Sequence, residues 1–142
     1  MIDYSHSEKA GRSLVGKLGE DVACEFLEGR GYRIRERNYL KRWGEIDIVG
    51  ERSGELFFFE VKTVSDKIPE VERKKISREN YDTYKPEYNV GPEKIKRLSR
   101  VIGTYLAEKN MSDRPWSFAV LSVLLNIKDR VARVKFLKDI VL

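Results

Sequence analysis

Apolar residues recur along this chain with two different periods. Between Ser13 and Gly29, Leu14, Val15, Leu18, Val22 and Phe26 fall three and four apart, the spacing of one helix face. Ser13 is a candidate cap for the start of that helix, and Gly29 and Gly31 are candidate stops. The residues before it, through Gly11, lack the period and are expected to form a loose tail. From Tyr32 to Leu40 the period becomes two: Tyr32 and Ile34 alternate with Arg33, Arg35 and Arg37, which predicts an edge strand. "EIDIV" (Glu45 to Val49) and "ELFFFEVKT" (Glu55 to Thr63) predict two more strands around a turn at Ser53-Gly54. Pro92 suits the first turn of a second helix, whose apolar stripe is Ile95, Leu98, Ile102, Tyr105 and Leu106. "WSFAVLSVLLN" (Trp116 to Asn126) and "VARVKFL" (Val131 to Leu137) predict two last strands, joined at Lys128-Asp129-Arg130. Phe57, Phe59, Phe118 and Leu121 read as core.

The order is helix, three strands, helix, two strands. It predicts an α/β domain with a mixed five-stranded sheet flanked by helices, not a doubly wound parallel one. With no internal repeat, 142 residues make one domain, long enough to bury a core without disulfides. Residues 64–90 break the pattern. They are strongly charged, have few apolar anchors and contain Pro69 and Pro86, so they read as a mobile insertion able to fold over a substrate.

Composition narrows the classes. Lys and Arg number 28 against 23 Asp and Glu, a net charge of +5, which points to an anionic partner. Cys24 is the only cysteine and His6 the only histidine, so neither an internal disulfide nor a zinc site of those ligands can form. Cys24 reads as a small core residue and His6 as part of the tail. The opening "MIDYSHSEKAGRS" lacks the basic and apolar regions of a signal peptide, and no apolar run spans a bilayer. The expected location is the cytoplasm, with no membrane partner.

The hairpin carries charges where a buried strand places apolar groups. By alternation Leu56, Phe58, Glu60 and Lys62 share one face of their strand. Glu45, Asp47 and Val49 share a face of theirs, opposite Ile46 and Ile48. A two-residue turn at Ser53-Gly54 pairs Arg52 with Glu55 and brings Asp47 opposite Glu60. Like charges that close are destabilising unless a proton, a cation or water relieves them. Mg²⁺ fits, because it takes one or two carboxylates and keeps several waters. The same spacing also fits an exposed Glu60–Lys62 pair at a strand end. On the first helix Glu20 lies off the large apolar stripe, on a second one with Gly16, Ala23 and Leu27. Small residues at Gly16, Gly19 and Ala23 would let that side approach a sheet closely; a solvated helix glutamate is the alternative.

"GEIDIV" followed by "FFEVKT" resembles the PD-(D/E)-x-K nuclease motif, with Asp47, Glu60 and Lys62 in its three positions. "GKLGEDVACEFLEGRGYRIRERNY" looks like the opening of the YraN-like bacterial family, and the opening and hairpin together are similar to archaeal Holliday-junction resolvases. The match is clear from about Gly11 to Thr63 and looser from Gly91 to Val123. The chain departs from the pattern in the long charged stretch from Val64 to Tyr88 and in lacking an acidic residue near Ala119.

The resemblance implies a restriction-endonuclease-like fold and metal-dependent hydrolysis of phosphodiester bonds in DNA, branched or single-stranded. It implies Mg²⁺ or Mn²⁺ at Asp47, Glu60 and the Val61 carbonyl. Lys62 would position water or stabilise phosphate charge, and Glu20 would complete the metal's surroundings. Junction-cleaving relatives act as symmetric dimers, so a branched substrate would imply a homodimer. For the substrate, six Lys or Arg and a single acidic residue lie between Gly29 and Arg42. Arg33, Arg35, Arg37, Lys41 and Arg42, with Lys94 and Arg97 on the second helix, are the candidate nucleic-acid contacts. Two other readings remain open: a binding module that keeps the nuclease fold without catalysis, and a structural or adaptor domain.

Overall fold

The computed structural model describes residues 4–65, 91–126 and 128–140. Of the charged stretch 64–90, Val64 and Ser65 are not insertion but the end of the third strand, paired with Leu124 and Leu125, while residues 66–90 lie outside the described residues, as does any test of their expected mobility. The elements are α1 (Tyr4–Gly29), β1 (Arg33–Lys41), β2 (Gly44–Arg52), β3 (Glu55–Ser65), α2 (Pro92–Glu108), β4 (Trp116–Asn126) and β5 (Val131–Ile140). The strands form one sheet in the order β1-β2-β3-β4-β5. β3 and β4 pair in parallel, from Leu56 with Trp116 to Ser65 with Leu125, and the other neighbours are antiparallel. With a helix on each face, this is the mixed α/β architecture of the restriction-endonuclease-like fold.

The β2–β3 hairpin has the expected turn. Ser53 and Gly54 both have positive φ, 52° and 80°, the requirement of a type I′ turn, whose twist matches the flanking strands. Arg52 pairs with Glu55, as the spacing predicts. Arg114 pins the turn, donating to the Gly54 carbonyl at 2.9 Å and to Glu51 at 3.0 Å.

The two faces of the sheet pack differently. On the α2 side Phe58 and Tyr105 are fully buried and meet edge to face at 5.6 Å, with Trp116 edge-on to Phe58 at 5.7 Å. Leu98, Val101 and Ile102 fill in around them. Each such side chain contributes roughly 1.5–3 kcal/mol of hydrophobic stabilisation. On the α1 side the helix contributes Ala23, Cys24 and Leu27 to a core with Ile48, Phe59 and Leu121.

Three expectations about α1 and its neighbours are corrected. The helix begins at Tyr4, so Ser13 lies within it and does not cap it, and residues from Tyr4 to Gly11 are helical rather than a loose tail. Its most buried face is turned away from part of the stripe of large residues: Leu14 is 69% and Leu18 45% exposed, Val15, Val22 and Phe26 are half-buried against the core, and Gly19, Ala23 and Leu27 are buried. The reason is Gly19, which abuts Thr63 of β3. A Cβ at Gly19 would lie 2.9 Å from the Thr63 Cβ and closer still to its hydroxyl and methyl. A bulky stripe turned inward would hold the helix off the sheet. Finally, Ile46 and Ile48 do not share a face: Ile48 packs toward α1, and Ile46 joins Val49 toward α2.

Candidate functional site

The cross-over of faces on β2 falls at Asp47. The β2–β3 ladder runs from Arg52 with Glu55 to Ile48 with Phe59 and stops there. Asp47 is therefore not paired opposite Glu60, a correction to simple alternation. Its side chain enters the seam between the strands, and Oδ2 accepts a hydrogen bond from the Val61 N–H at 2.8 Å. A carboxylate thus takes the place of a ladder carbonyl, while β3 continues beside β4. Burial pushes the Asp47 carboxyl up to about 6; the Val61 N–H opposes this, and the charges of Glu45, Glu60 and Glu20 reinforce it.

Glu60, the residue before Val61, points to the α2 side by alternation with Phe58. Its Oε1 lies 3.1 Å from Lys94 Nζ and 3.4 Å from Lys62 Nζ. Lys62 comes from the same strand, two residues on, and Lys94 from the first turn of α2. Asp47, Glu60, Val61 and Lys62 are thereby brought together at one level of the sheet.

Glu20 completes the acidic group from the opposite side. It is 8% exposed, so the buried reading holds over the solvated one. The close approach at Gly19 sets it against the sheet. Its Oε1 accepts from Arg37 Nε and Asn38 Nδ2, both at 2.9 Å. Arg37 also donates to Asp21 at 2.6 Å, and these bonds raise its already high pKa. Buried carboxylates are expensive without such donors, so Arg37 is the internal counter-ion of Glu20.

The basic residues divide into two sets. Arg35 donates to Glu51 at 2.8 Å, Arg37 to Glu20 and Asp21, and Lys41 pairs with Glu108 at 2.7 Å. These three reach different faces of β1 and are engaged within the fold. Arg33, Arg42 and Arg97 are exposed. The β1–β2 turn leans on α2, with the Arg100 guanidinium 4.5 Å from the Trp43 ring centroid, so Arg42, Arg97 and Arg100 lie on the side of α2 that leads to Lys94 and Glu60.

Asn38 and the Glu60 contact of Lys94 were not legible from spacing. An Asn amid β1 is a weak sequence signal, because that residue type is depleted in strands. Nothing in the local sequence brings Lys94 to Glu60; the fold does. Cys24 is buried and its thiol is pushed up to about 11, chiefly by burial, which suits a packing role. Among the described residues no helix is long and apolar enough to cross a membrane.

For a hard divalent cation the available donors are carboxylate oxygens, Asp47 and Glu60, with the Val61 carbonyl beside them. Among the described residues no group of three or more His, Cys, Asp or Glu side chains could hold a metal alone. The fit is to an ion that uses two carboxylates and retains water, as Mg²⁺ does.

The sequence profile of the uncharacterised protein family UPF0102 matches residues 19–123. A relative from Dictyoglomus turgidum is 34% identical over 125 residues, 88% of this chain and 94% of its own. One from Syntrophus aciditrophicus is 36% identical over 125 residues, 88% of this chain and 86% of its own. One from Moorella thermoacetica is 36% identical over 123 residues, 87% and 91% of the two chains. The match with the profile spans the hairpin, α2 and most of β4.

Proposed function

This chain belongs to the uncharacterised protein family UPF0102, and on that footing we propose that it is a metal-dependent phosphodiesterase acting on DNA. The observation that carries the reading is the break of the β2–β3 ladder at Asp47. A strand pair gives up its regular pairing to hold a carboxylate in the seam, beside a second carboxylate and a lysine. The order Asp47, Glu60, Lys62 is that of the nuclease motif the sequence resembles.

Mg²⁺ or Mn²⁺, held by Asp47 and Glu60, would supply Lewis-acid activation of the phosphodiester and of the attacking water. The protein's own groups do the rest. The Val61 N–H fixes the Asp47 carboxylate in the seam. The Lys62 ammonium, already beside Glu60, stands ready to stabilise charge developing on phosphate oxygens. Glu20 adds negative charge on the α1 side. Lys94 and the exposed Arg42, Arg97 and Arg100 supply phosphate contacts of a kind that carries no sequence information. Arg33 is exposed as well, whereas Arg35, Arg37 and Lys41 would have to leave acidic partners to join them. If the substrate is branched, two symmetric cuts require two copies, and a homodimer follows.

One observation favours the binding-module reading: Glu60 already has two lysines beside it, so its charge is compensated without metal. A cleavage assay over linear, flapped and four-way DNA, with Mg²⁺ or Mn²⁺, separates the two. The nuclease reading expects cleavage of at least one substrate by the wild type, at least 100-fold less by Lys62→Ala, and unchanged DNA affinity in that variant. DNA binding without cleavage of any substrate would leave the binding module in its place.

A further inference from the structure

The geometry points to Asn38 as a positioning residue that does two separable jobs for this site; the inference rests on reading Asp47, Glu60 and Glu20 as one site. Asn38 lies within β1 yet has φ 54°, in the left-handed region. Arg37 pairs with Ile48 and Tyr39 with Ile46, so Asn38 and Asp47 face each other at the level between two ladder pairs. On both strands that level is where the faces exchange. Arg37 reaches Glu20 and Asp21 of α1, while Tyr39, two residues on, donates to Glu108 of α2 at 2.6 Å. Ile48 and Ile46 divide in the same way. Residues two apart on a regular strand share a face, so both strands are stepped here. A left-handed residue produces such a step, and Asn is among the few residues other than Gly that adopt that conformation readily.

The step rotates β2 so that the Asp47 side chain can enter the seam and cap the Val61 N–H. That is the first job, done by the backbone. The second belongs to the side chain: Asn38 Nδ2 donates to Glu20 Oε1 at 2.9 Å. Arg37 takes the same oxygen, which leaves Oε2 without a hydrogen-bond partner among the described residues. One residue therefore sets both acidic groups, from opposite ends of its own structure.

Two substitutions separate the jobs. Asn38→Gly keeps the left-handed backbone and deletes the amide; Asn38→Val keeps neither, because a β-branched residue resists positive φ. Three quantities are read: hydrogen exchange of the Val61 amide and the Glu20 carboxyl ¹³C shift, both in metal-free protein, and the Mn²⁺ concentration giving half-maximal thermal stabilisation. In Asn38→Gly the Val61 amide should exchange within about twofold of wild type, the Glu20 signal should move, and the Mn²⁺ half-point should rise about tenfold, the usual cost of losing an outer support of a metal site. In Asn38→Val the Val61 amide should exchange at least tenfold faster while the Tyr105 amide on the α2 side stays protected. Asn38→Ala, a milder strain, serves if the valine variant does not fold. Unchanged Val61 exchange in the valine or alanine variant overturns the backbone job. An unmoved Glu20 signal in the glycine variant overturns the side-chain job. A wild type indifferent to Mn²⁺ sinks the metal reading instead, and the two metal-free quantities still decide Asn38.

Discussion

The two faces of the sheet are held by opposite means. On the α2 side, bulk does the work: Phe58, Tyr105, Phe118 and Ile102 interlock, with Leu98 and Val101 around them. On the α1 side, smallness does it. Gly19 lets the helix touch Thr63, Ala23, Cys24 and Leu27 settle against Phe59 and Leu121 of the sheet, and Glu20 is drawn below the surface with Arg37 and Asn38 as donors. The bulky face can be cut and refilled with graded losses. The small face is tightest at Gly19, where an added Cβ would overlap Thr63, and it brings the buried charge of Glu20 toward Asp47. The candidate site draws on both faces, with Glu20 held on the α1 side and Glu60 beside Lys94 on the α2 side.

The largest effect should come from emptying the bulky face. Phe58→Ala removes a fully buried ring packed against Tyr105 and Trp116, and should cost about 3–5 kcal/mol in urea denaturation. It should do so with little effect on the Glu20 and Asp47 contacts.

Adding one methyl to the small face should come next. Gly19→Ala forces a Cβ into Thr63, an overpacking that should cost about 1–3 kcal/mol. Thr63→Ala in the same chain removes the nearest hydroxyl and methyl and should recover part of the loss. Strict additivity of the two changes would mean that the helix does not rest on Thr63.

Asp47→Asn sharpens the contrast from the other direction, because it should stabilise the protein. The carboxyl is pushed up to about 6 from an ordinary 3.8. Between those values the folded state holds more protons than the unfolded, so stability falls as pH rises through the window, and the penalty is complete above it. A shift of that size corresponds to at most about 3 kcal/mol. Asparagine keeps an oxygen for the Val61 N–H and carries no charge. The variant should gain about 1–3 kcal/mol over wild type at pH 8 and almost nothing below pH 4, seen in paired melts across pH. A gain independent of pH would place its origin elsewhere.

The smallest effect belongs to an exposed member of the apolar stripe of α1. Leu18 is 45% exposed, and Leu18→Lys should change stability by no more than about 0.5 kcal/mol. A loss of several kcal/mol would mean that this side of α1 is covered.

This contrast also explains what could be read in the sequence. Both helices, all five strands and the Ser53-Gly54 turn follow from period and turn chemistry, and Tyr105, Phe59, Phe118 and Leu121 follow from their stripes and strands, because bulk burial leaves a periodic signal. Phe58, on one face with Glu60 and Lys62, does not read as core in the sequence yet is fully buried, and Phe57 is only half-buried. The inward face of α1 does not. Leu14 and Leu18 outweigh Gly19 and Ala23 in any hydrophobic count, but contact with Thr63 decides the orientation. The acidic members Asp47, Glu60 and Glu20 were legible as a constellation, and Lys62 with them. Their arrangement was not, because alternation assumes a regular ladder and Asn38 breaks it at the level of Asp47. Nor could spacing show that Arg35, Arg37 and Lys41 satisfy carboxylates inside the fold. A basic strand looks the same in sequence whether its charges meet phosphate or glutamate.

The central claim is that Asp47 and Glu60 form a site completed by a divalent cation, and thermal melting with Mn²⁺ tests it most directly. A ligand that binds the folded state at 100 times its dissociation constant adds about 2.7 kcal/mol. For a chain of this size that raises the midpoint by several degrees. Wild type should show that rise in millimolar Mn²⁺. Asp47→Asn should start higher without metal and gain nothing from it. A wild-type midpoint that ignores millimolar Mn²⁺, with Asp47→Asn responding no differently, would contradict the claim.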